Sequence, residues 1–546
     1  MTLKTGRHQI SIRLAWSILA IALFTAPVSG IDGSTGLRIA PPAGQVEDNT
    51  TFIDANSVLM MTTNVGIVGR DRANLFNYDV GFFYPYTDTQ SISNGTQTNS
   101  PLYSAGIWVG GVIQGSGERR VTVADYSSEY IPGPVVAGTF PADALTNPVY
   151  RTYKLYADSG NANPNTDFLE WPAGMGAPVD DFGVPIIRGD QTLWCVFNDY
   201  DTSRHTLNPG ETEPLGLEIH QSTFAGTEPN NTTSVVLEYK IFNRNHLTID
   251  SCMIGLFVDP DLGNAQDDMI GSDSAGSFIY CYNSTNSDAQ YGATPPAVGV
   301  QLLAGPVVAA INDTADFLGT PLPDFRNLPV YAMNQYVTGA DPSSADSSLN
   351  FLLGLDLDGS DLINPISSNP SRFEYSGDPV AGTGWLQPVP GDRAMIISAG
   401  PFTFLPGDSQ CFSVRIAVGQ GTDRLSSIVQ LRSLMAAEPN IPTDIDDDHG
   451  TTLPNSLALA ANYPNPFNPA TSIAYSLPQR TTVRLDVINI LGQLVTTLVD
   501  REQPAGDYSV TWDGTDHGGR PVASGIYFYR LATAERSLSR KMILMK

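Results

Sequence analysis

An all-β fold is predicted by the spacing of apolar residues along the chain. Segments rich in Val, Ile, Tyr, Phe and Trp run for about five to eight residues and end at Gly, Pro, Asn or Asp, as β-strands do. Stretches with helical periodicity are scarce. The 546 residues include 50 Gly and 40 Pro, yet 41% are hydrophobic, which is the composition of a turn-rich globular protein. The clearest predicted strands are Leu193–Phe197, Ser234–Phe242, Cys252–Val258, Ser277–Tyr282, Met395–Ser398 and Gln410–Val418.

One helix is predicted over residues 423–437. Thr422 or Asp423 can serve as its N-cap, because a short polar side chain there accepts a hydrogen bond from a free backbone amide of the first turn. The apolar residues that recur at helical spacing are Leu425, Ile428, Leu431 and Met435. We expect this helix to close a large β-rich domain.

The chain is longer than one hydrophobic core usually supports, so several segments are expected. We predict a signal peptide over 1–30, a large β-rich secreted domain over 31–440 and a smaller domain over 455–546. Between the two domains, residues 441–454 form an acidic, proline-containing linker. Its prolines block helix formation, and its clustered aspartates repel one another and favour solvent.

The N-terminal segment has the three parts of a secretory signal peptide. Lys4, Arg7 and Arg13 are basic, residues 14–24 are apolar, and Val28 and Gly30 are small enough for the cleavage site. The apolar run is shorter than the roughly 20 residues of a membrane span, which disfavours the alternative of an anchor. We therefore expect a mature chain that begins at Ile31, lacks a transmembrane segment and lies outside the cytoplasm.

The charge of the chain excludes one class of partner. Fifty-six acidic residues against 29 basic ones give a formal charge of −27, which repels phosphate backbones and anionic membranes. Nucleic-acid binding is therefore not expected. The acidic residues either keep the protein soluble or provide sites for divalent cations.

The last ninety or so residues predict a separate small β-sandwich. Residues 482–489 alternate strictly, with Val483, Leu485 and Val487 on one face. Glycine pairs such as Gly518-Gly519 supply tight turns. About seven short strands fit in this length, which is the count of an Ig-like sandwich.

Motifs in this region add a family resemblance. The chain reads Tyr463-Pro-Asn-Pro-Phe-Asn-Pro469, followed by Asn489-Ile-Leu-Gly-Gln493, Gly506-Asp-Tyr508, Trp512-Asp-Gly514 and Ser524-Gly-Ile-Tyr527, with Lys546 last. In this order the motifs resemble the C-terminal type A sorting domain of the type IX secretion system, which is related to the FlgD/Vpr Ig-like domain. The residues that carry the motif are Pro464, Asn465, Pro466, Phe467, Asn468, Pro469, Gly492, Gly525 and Lys546.

The resemblance implies where the protein goes. In the family, such a domain directs its cargo through the type IX secretion machinery of Gram-negative-type bacteria to the cell surface or the medium. The alternative is an Ig-like spacer without a sorting role. Segments of the large domain, such as Phe257-Val-Asp-Pro-Asp-Leu-Gly263, also resemble large secreted proteins that carry the same C-terminal domain, and that resemblance implies no activity.

Four cysteines remain as disulfide candidates: Cys195, Cys252, Cys281 and Cys411. None forms a Cys-x-x-Cys pair, which argues against a zinc ribbon or a thioredoxin-type site. The segment 252–282 reads as strand, acidic loop and strand, and a hairpin of these strands would bring Cys252 close to Cys281. A cross-strand disulfide is one expectation, and two buried thiols packed as small hydrophobic residues are the other.

Two acidic loops are candidate Ca²⁺ sites, because Ca²⁺ takes six to eight oxygen ligands from flexible acidic loops. In the first, the expected ligands are Asp259, Asp261 and either Asp267 or Asp268. The second has the pattern Asp-x-Asp-Gly-x-Asp, with Asp356, Asp358 and Asp361. Neither matches an EF-hand, so a solvated acidic turn is the alternative for each. No cofactor is required by the predicted function, and Ca²⁺ is the one candidate.

Catalytic motifs such as His-Glu-x-x-His, Gly-x-Ser-x-Gly and the Walker A loop do not occur in the sequence. The predicted function is therefore a structural or binding role at the cell surface, with surface glycans or other surface proteins as partners. The rival hypothesis is a secreted hydrolase of polysaccharide or peptide, using a pair of carboxylates. The acids available for it are Asp180, Asp181, Asp199, Asp201, Glu218 and Glu238, and the tryptophans that could contact sugars are Trp108, Trp171 and Trp385.

Overall fold

The computed structural model describes residues 49–76, 79–157, 165–180, 183–205, 212–228, 231–439, 457–459, 462, 467, 471–490, 493–503, 506–533 and 536–544. Strands account for 47% of the structure and helices for 9%, so the all-β prediction is confirmed. The predicted signal peptide and linker lie outside the described residues.

Twenty of the described strands precede residue 420. They are β1 (Thr50–Ile53), β2 (Leu59–Thr63), β3 (Ile67–Val68), β4 (Phe82–Phe83), β5 (Ser104–Ile113), β6 (Arg119–Val123), β7 (Ile131–Pro132), β8 (Tyr153–Tyr156), β9 (Gln191–Asn198), β10 (Leu217–Ala225), β11 (Ser234–Asn243), β12 (Ile249–Asp259), β13 (Asp268–Asp273), β14 (Phe278–Asn283), β15 (Ala297–Ala304), β16 (Val307–Phe317), β17 (Thr320–Asn327), β18 (Val330–Val337), β19 (Arg393–Phe404) and β20 (Ser409–Gly419). The α-helices described are α1 (Thr89–Ser93), α2 (Thr166–Leu169), α3 (Ala345–Leu352) and α4 (Arg424–Ala436).

These strands form two nine-stranded antiparallel sheets. The first has the order β1-β2-β3-β5-β12-β19-β18, with β4 paired to β2 and β6 to β5. The second has the order β13-β14-β15-β20-β11-β10-β9-β7, with β8 paired to β9. Strands β16 and β17 pair only with each other, as a hairpin.

The two sheets pack face to face around one hydrophobic core. Alternate residues of β12, among them Ile254, Leu256 and Val258, contact the same core cluster as Ile279 of β14 in the other sheet. Side chains of a strand point alternately to opposite faces, so the residues between them pack on the outside of the sheet. The sandwich predicted for the large region is therefore present.

Each sheet carries one helix on its outer face. Leu349 and Phe351 of α3 pack with Phe257 on the outer face of the first sheet. Helix α4 covers Tyr280 and neighbouring residues of the second. Its buried residues include Ile428, Leu431 and Met435, and the side chain of Asp423 accepts hydrogen bonds from the first turn. The helix predicted over 423–437 and its N-cap are thus confirmed.

The C-terminal region is built from seven described strands. They are β21 (Ala458–Leu459), β22 (Thr471–Leu477), β23 (Thr481–Asn489), β24 (Leu494–Gln503), β25 (Gly506–Trp512), β26 (Gly525–Ala532) and β27 (Ser537–Leu544). They form a three-stranded sheet, β21-β22-β25, and a four-stranded sheet, β24-β23-β26-β27. Ile473 from one sheet and Leu485 from the other share a buried core, so the predicted small sandwich is present.

A membrane-spanning helix was also sought. Among the helices of the described ranges, none combines the length and the apolar character that crossing a bilayer requires.

Candidate functional site

Three carboxylates meet where the chain leaves the first sheet. Asp259 is the last residue of β12, Asp261 follows it in the connection to β13, and Asp392 directly precedes β19. One carboxylate oxygen from each residue lies within 4.8 Å of the corresponding oxygens of the other two. Among the His, Cys, Asp and Glu side chains of the described residues, these three form the group whose ligand atoms are close enough to hold one metal ion.

The pairing of β12 with β19 brings these residues together. The two strands are antiparallel, and Val258 lies opposite Met395. Continued past the ends of the strands, the same register sets Asp261 opposite Asp392. Strand β18 pairs with the other side of β19. The amide of Thr338, the residue after β18, donates to the carbonyl of Asp392 at 3.1 Å and so fixes the backbone of Asp392.

The three carboxylates differ in exposure. Asp259 is only 4% exposed, and Asp261 and Asp392 are half-buried. Oδ1 of Asp259 and Oδ1 of Asp392 are buried, and neither has a hydrogen-bond partner among the described residues. Buried polar atoms almost always have such a partner, so two unpartnered oxygens in one cluster need an explanation.

Burial and mutual repulsion raise the pKa of two of these groups. Burial, followed by the charge of Asp261, raises the pKa of Asp259 to about 8. Burial, followed by the charge of Asp392, raises the pKa of Asp261 to about 6. A negative charge held in a poorly solvated place next to another negative charge is unfavourable, and binding a proton or a cation relieves it.

The surroundings of the cluster are acidic and aromatic. The hydroxyl of Tyr126 is buried beside Asp259, whose charge adds to the effect of burial in raising the pKa of Tyr126. The charge of Asp341 also contributes to the raised pKa of Asp259. No lysine, arginine or histidine in the described part of the chain forms an ion pair with Asp259, Asp261 or Asp392.

The sequence predicted two of the three clustered residues. Asp259 and Asp261 were expected together, but the third carboxylate is Asp392 and not Asp267 or Asp268. Asp268 is buried at the start of β13, where its Oδ2 accepts the amide of Leu262 at 3.0 Å. Burial raises the pKa of Asp268 well above its usual range. Asp267 ends a short 3₁₀ turn, and the charge of Asp288 adds to burial in raising its pKa.

The second predicted loop is a tight turn with exposed carboxylates. The amide of Gly359 donates to the carbonyl of Asp356 at 2.8 Å, and the amide of Ser360 donates to Oδ1 of Asp358 at 2.9 Å. Asp356, Asp358 and Asp361 are all exposed. The geometry is that of an ordinary Asp-Gly turn, in which the aspartate side chain caps its own backbone.

The hairpin predicted between Cys252 and Cys281 is wrong. Strand β12 pairs with β5 and β19 in the first sheet, whereas β14 pairs with β13 and β15 in the second. Both cysteines face the shared core, but from opposite sheets, so the geometric reason for a cross-strand disulfide disappears. All four cysteines are buried and unbonded in the structure.

Of the residues in the C-terminal motif, Phe467 and Gly525 are described. Phe467 is buried, its ring centroid lies 5.5 Å from that of Trp512, and its amide donates to the carbonyl of Ile543 at 2.9 Å. Gly525 begins β26 opposite Leu544. The other motif residues, Pro464, Asn465, Pro466, Asn468, Pro469, Gly492 and Lys546, lie outside the described residues.

Groups that a hydrolase would need are mostly held in structural contacts. Nε2 of His205 lies 2.9 Å from the carbonyl oxygen of Asp199, and both residues are buried. Nε2 of His220 lies 3.0 Å from Oε1 of Glu218, which also accepts from Arg244 at 2.6 Å. Glu238 is paired with Arg188.

The tryptophans proposed for sugar contacts are likewise integrated into the fold. Trp108 is buried and stacks on Phe257 at 5.4 Å. Trp171 and Trp385 are half-buried, and each packs edge-on against a tyrosine, Tyr153 and Tyr375 respectively. Packing against neighbours therefore explains the positions of all three.

Comparison with known proteins identifies the C-terminal module. The family described as FlgD Ig-like domain matches residues 468–537, which confirms the Ig-like part of the prediction. No curated protein matches the chain.

Solved structures give only distant likenesses. A polysaccharide lyase has 8% identity and a TM-score of 0.22, covering 93% of this chain and 46% of its own. Latent PorU from Porphyromonas gingivalis has 11% identity and a TM-score of 0.15. The alignment covers 65% of this chain and 31% of PorU. PorZ, a surface component of the type IX secretion system of the same organism, has 9% identity and a TM-score of 0.13. The alignment covers 93% of this chain and 61% of PorZ.

The chain thus spans less than half the length of the first two proteins. TM-scores this low indicate neither a shared fold nor a shared activity. Residues 468–537 are similar to the FlgD Ig-like domain family.

Proposed function

We propose that this chain is a secreted or surface-attached protein of a Gram-negative-type bacterium, exported by the type IX secretion system. Its large domain has a structural or binding role without catalysis. The observation that carries the proposal is the FlgD Ig-like match over residues 468–537, which begins at the end of the Pro-Asn-Pro-Phe-Asn-Pro motif that resembles type A sorting domains.

The construction of the C-terminal module supports a role as a self-contained signal. Its hydrophobic core consists of its own residues, from Leu459 to Leu544, with Trp512 and Tyr529 fully buried at the centre. The motif residue Phe467 is part of that core. A module with a complete core of this kind can present a folded surface to a secretion machine independently of its cargo.

The histidines and Glu218 of the large domain offer little support for catalysis. His205 and His220 are buried and engaged, and Glu218 is held ionised: burial raises its pKa, but hydrogen bonds from His220 and Arg244 outweigh that and lower it to about 2. A general acid needs a pKa near the working pH. We therefore propose surface glycans or other surface proteins as partners of the large domain, in addition to the type IX machinery.

The export proposal is tested by deleting residues 455–546 in a bacterium with a working type IX system. Cell fractions and medium are probed for the large domain, with surface exposure measured by added protease. We expect the truncated protein to accumulate in the periplasm. A matched control attaches residues 455–546 to a reporter with a signal peptide, and we expect that reporter outside the cell. Wild-type amounts of the truncated protein outside the cell would overturn the proposal.

A hydrolase of polysaccharide is the second candidate. It is favoured by the spacing of Asp259, Asp261 and Asp392, since retaining glycosidases hold two carboxyl groups about 5 Å apart. The secreted protein is to be incubated with a glycan array and with general polysaccharide and peptide substrates, with and without a chelator. Binding without turnover supports the non-catalytic role, and turnover that is lost in Asp261→Asn would displace it.

A further inference from the structure

We propose that Asp259, Asp261 and Asp392 bind one divalent cation, and that Ca²⁺ is the ion that fits the site. The cation would join the end of β12 to the start of β19, at the point where the chain crosses from the first sheet to the second. This inference concerns the large domain alone and does not depend on the export route.

The first argument is the lack of partners for buried oxygens. Oδ1 of Asp259 is buried in a residue that is 96% enclosed and has no partner within normal hydrogen-bond geometry, although the nearby Tyr126 hydroxyl still acts on Asp259 as a donor and lowers its pKa. Oδ1 of Asp392 is also buried without a hydrogen-bond partner among the described residues. Leaving an ionised oxygen enclosed and unpartnered is costly, and a coordinated cation removes that cost.

The second argument is charge. Three carboxylates have oxygens within 4.8 Å of one another, and Asp341 adds a further negative charge nearby. None of the three has an ion-pair partner among the described residues. A single divalent cation at the centre of the three would compensate most of this charge.

The donor set selects the class of ion. All three side chains offer carboxylate oxygen, which suits hard cations, whereas zinc sites usually contain His or Cys. Ca²⁺ binds oxygens at about 2.3–2.6 Å, so two ligands on opposite sides of one ion are about 4.6–5.2 Å apart. The three carboxylate oxygens all lie within 4.8 Å of one another, which is close enough for one such ion to contact all of them. Mg²⁺ demands a near-ideal octahedron at about 2.0–2.1 Å and usually keeps several waters, so a cluster of protein carboxylates favours Ca²⁺.

The connection after β12 explains why a cation would be useful there. Asp259 and Asp261 flank Pro260, and the chain then runs through a short 3₁₀ turn into β13 of the second sheet. Asp392 follows the long connection between α3 and β19. A cation shared by these residues would hold both connections to the ends of two neighbouring strands. Binding to the folded state alone would stabilise the domain.

The test uses the full mature chain, stripped with a chelator and dialysed. Calorimetric titration with CaCl₂ is expected to show one equivalent bound, and MgCl₂ is expected to bind more weakly. At about 100-fold excess over Kd, Ca²⁺ should raise the melting temperature of the large domain by about 3 °C, given its size. Absence of any binding heat and of any shift in the wild-type protein would overturn the proposal, and so would a response to Mg²⁺ alone.

Variants locate the site. Asp261→Asn and Asp392→Asn each remove one negative ligand and should weaken Ca²⁺ binding at least about tenfold. The matched control is Asp358→Asn, an exposed aspartate in the Asp-Gly turn, which should leave binding unchanged. Circular dichroism shows whether each variant is folded. Retention of full affinity in folded Asp261→Asn, or its loss in Asp358→Asn, would refute the assignment.

Discussion

A carboxylate oxygen of Asp392 lies within 4.8 Å of one on Asp261, although the two residues are far apart in the sequence. The antiparallel pairing of β12 with β19 accounts for this, since Val258 lies opposite Met395 a few residues earlier in the same register. The cluster is therefore a product of strand pairing and not of a continuous loop motif. Four predictions about other parts of the molecule follow.

Phe467→Ala should destabilise the C-terminal module. The ring is 1% exposed and packs on Trp512, so its removal leaves a cavity in a small core and should cost about 3–5 kcal/mol. Scanning calorimetry of the full chain measures the effect as a lowered transition. Ile490→Ala is the control, because Ile490 is exposed, and it should change stability by less than about 0.5 kcal/mol. Equal effects of the two substitutions would contradict the packing described for Phe467.

Asp486→Asn should weaken the same module in a pH-dependent way. The buried Asp486 carboxylate accepts from Arg484 Nε at 2.9 Å and from Thr497 Oγ1 at 2.7 Å. Burial raises the pKa of Asp486, but these bonds and that of Arg530 outweigh it, so the pKa is lowered. The stabilisation is therefore present above the unfolded-state pKa near 4 and is lost as the pH falls through the lower folded-state pKa.

We expect Asp486→Asn to cost about 1–3 kcal/mol at pH 7 and progressively less below pH 4, as measured by urea denaturation. Asp500→Asn is the matched control. Asp500 pairs with the same Arg484 at 3.3 Å but is exposed, so its loss should cost less than about 1 kcal/mol. A cost for Asp486→Asn that does not change between pH 7 and pH 3 would argue against an ionised, hydrogen-bonded carboxylate.

Glu374→Gln should remove part of the pH dependence of the large domain. Burial raises the pKa of Glu374 to about 7, although Gln335 donates to its Oε1 at 2.9 Å and the charge of Arg393 opposes the rise. The folded state therefore holds a proton that the unfolded state releases. The contribution of Glu374 to stability is full below pH 4.5 and is lost as the pH rises to about 7.

Glutamine imitates the protonated acid, so Glu374→Gln should gain stability over the wild type as the pH rises from 4.5 to 7. The gain should level off above pH 7 at about 3 kcal/mol. Denaturation curves at several pH values measure it. Glu118→Gln, at an exposed glutamate, should show no such trend. A constant difference between Glu374→Gln and the wild type across this range would show that Glu374 is ionised in the folded state.

The four cysteines should be present as thiols. Each is buried, and burial raises the pKa of Cys195 to about 12, so the folded protein should react slowly with alkylating reagents. Denaturation without a reductant should then expose four reactive thiols, counted by mass spectrometry. A count of two would demonstrate a disulfide, and peptide mapping would identify its partners.

Local patterns in the sequence were sufficient for the longest helix, several strands of the large domain and the strands of the C-terminal module. The helix over 423–437 could be predicted because its apolar spacing and its capping residue are both local features. The strands of the C-terminal module could be predicted for the same reason, since alternation places Val483, Leu485 and Val487 on the buried face of β23. The motifs on which the resemblance to a sorting domain rests are local features as well.

Pairing between strands could not be predicted in the same way. The segment from Cys252 to Tyr282 reads locally as a hairpin, but its strands belong to different sheets because β12 gains two long partners, β5 and β19, in the first sheet. The acidic connection even contains a strand of its own, β13. The sequence around Asp392 gave no reason to predict a metal ligand, because its one distinguishing feature was its position shortly before a predicted strand.

The sequence by itself determined the all-β class, the single long helix, the C-terminal Ig-like module and the two aspartates that follow β12. Only the tertiary structure decided which strands are neighbours, and hence that Asp392 completes the carboxylate cluster and that Cys252 and Cys281 belong to separate sheets. The physical reason is that apolar periodicity records which face of a strand is buried, whereas the choice of partner depends on the packing of the whole sheet.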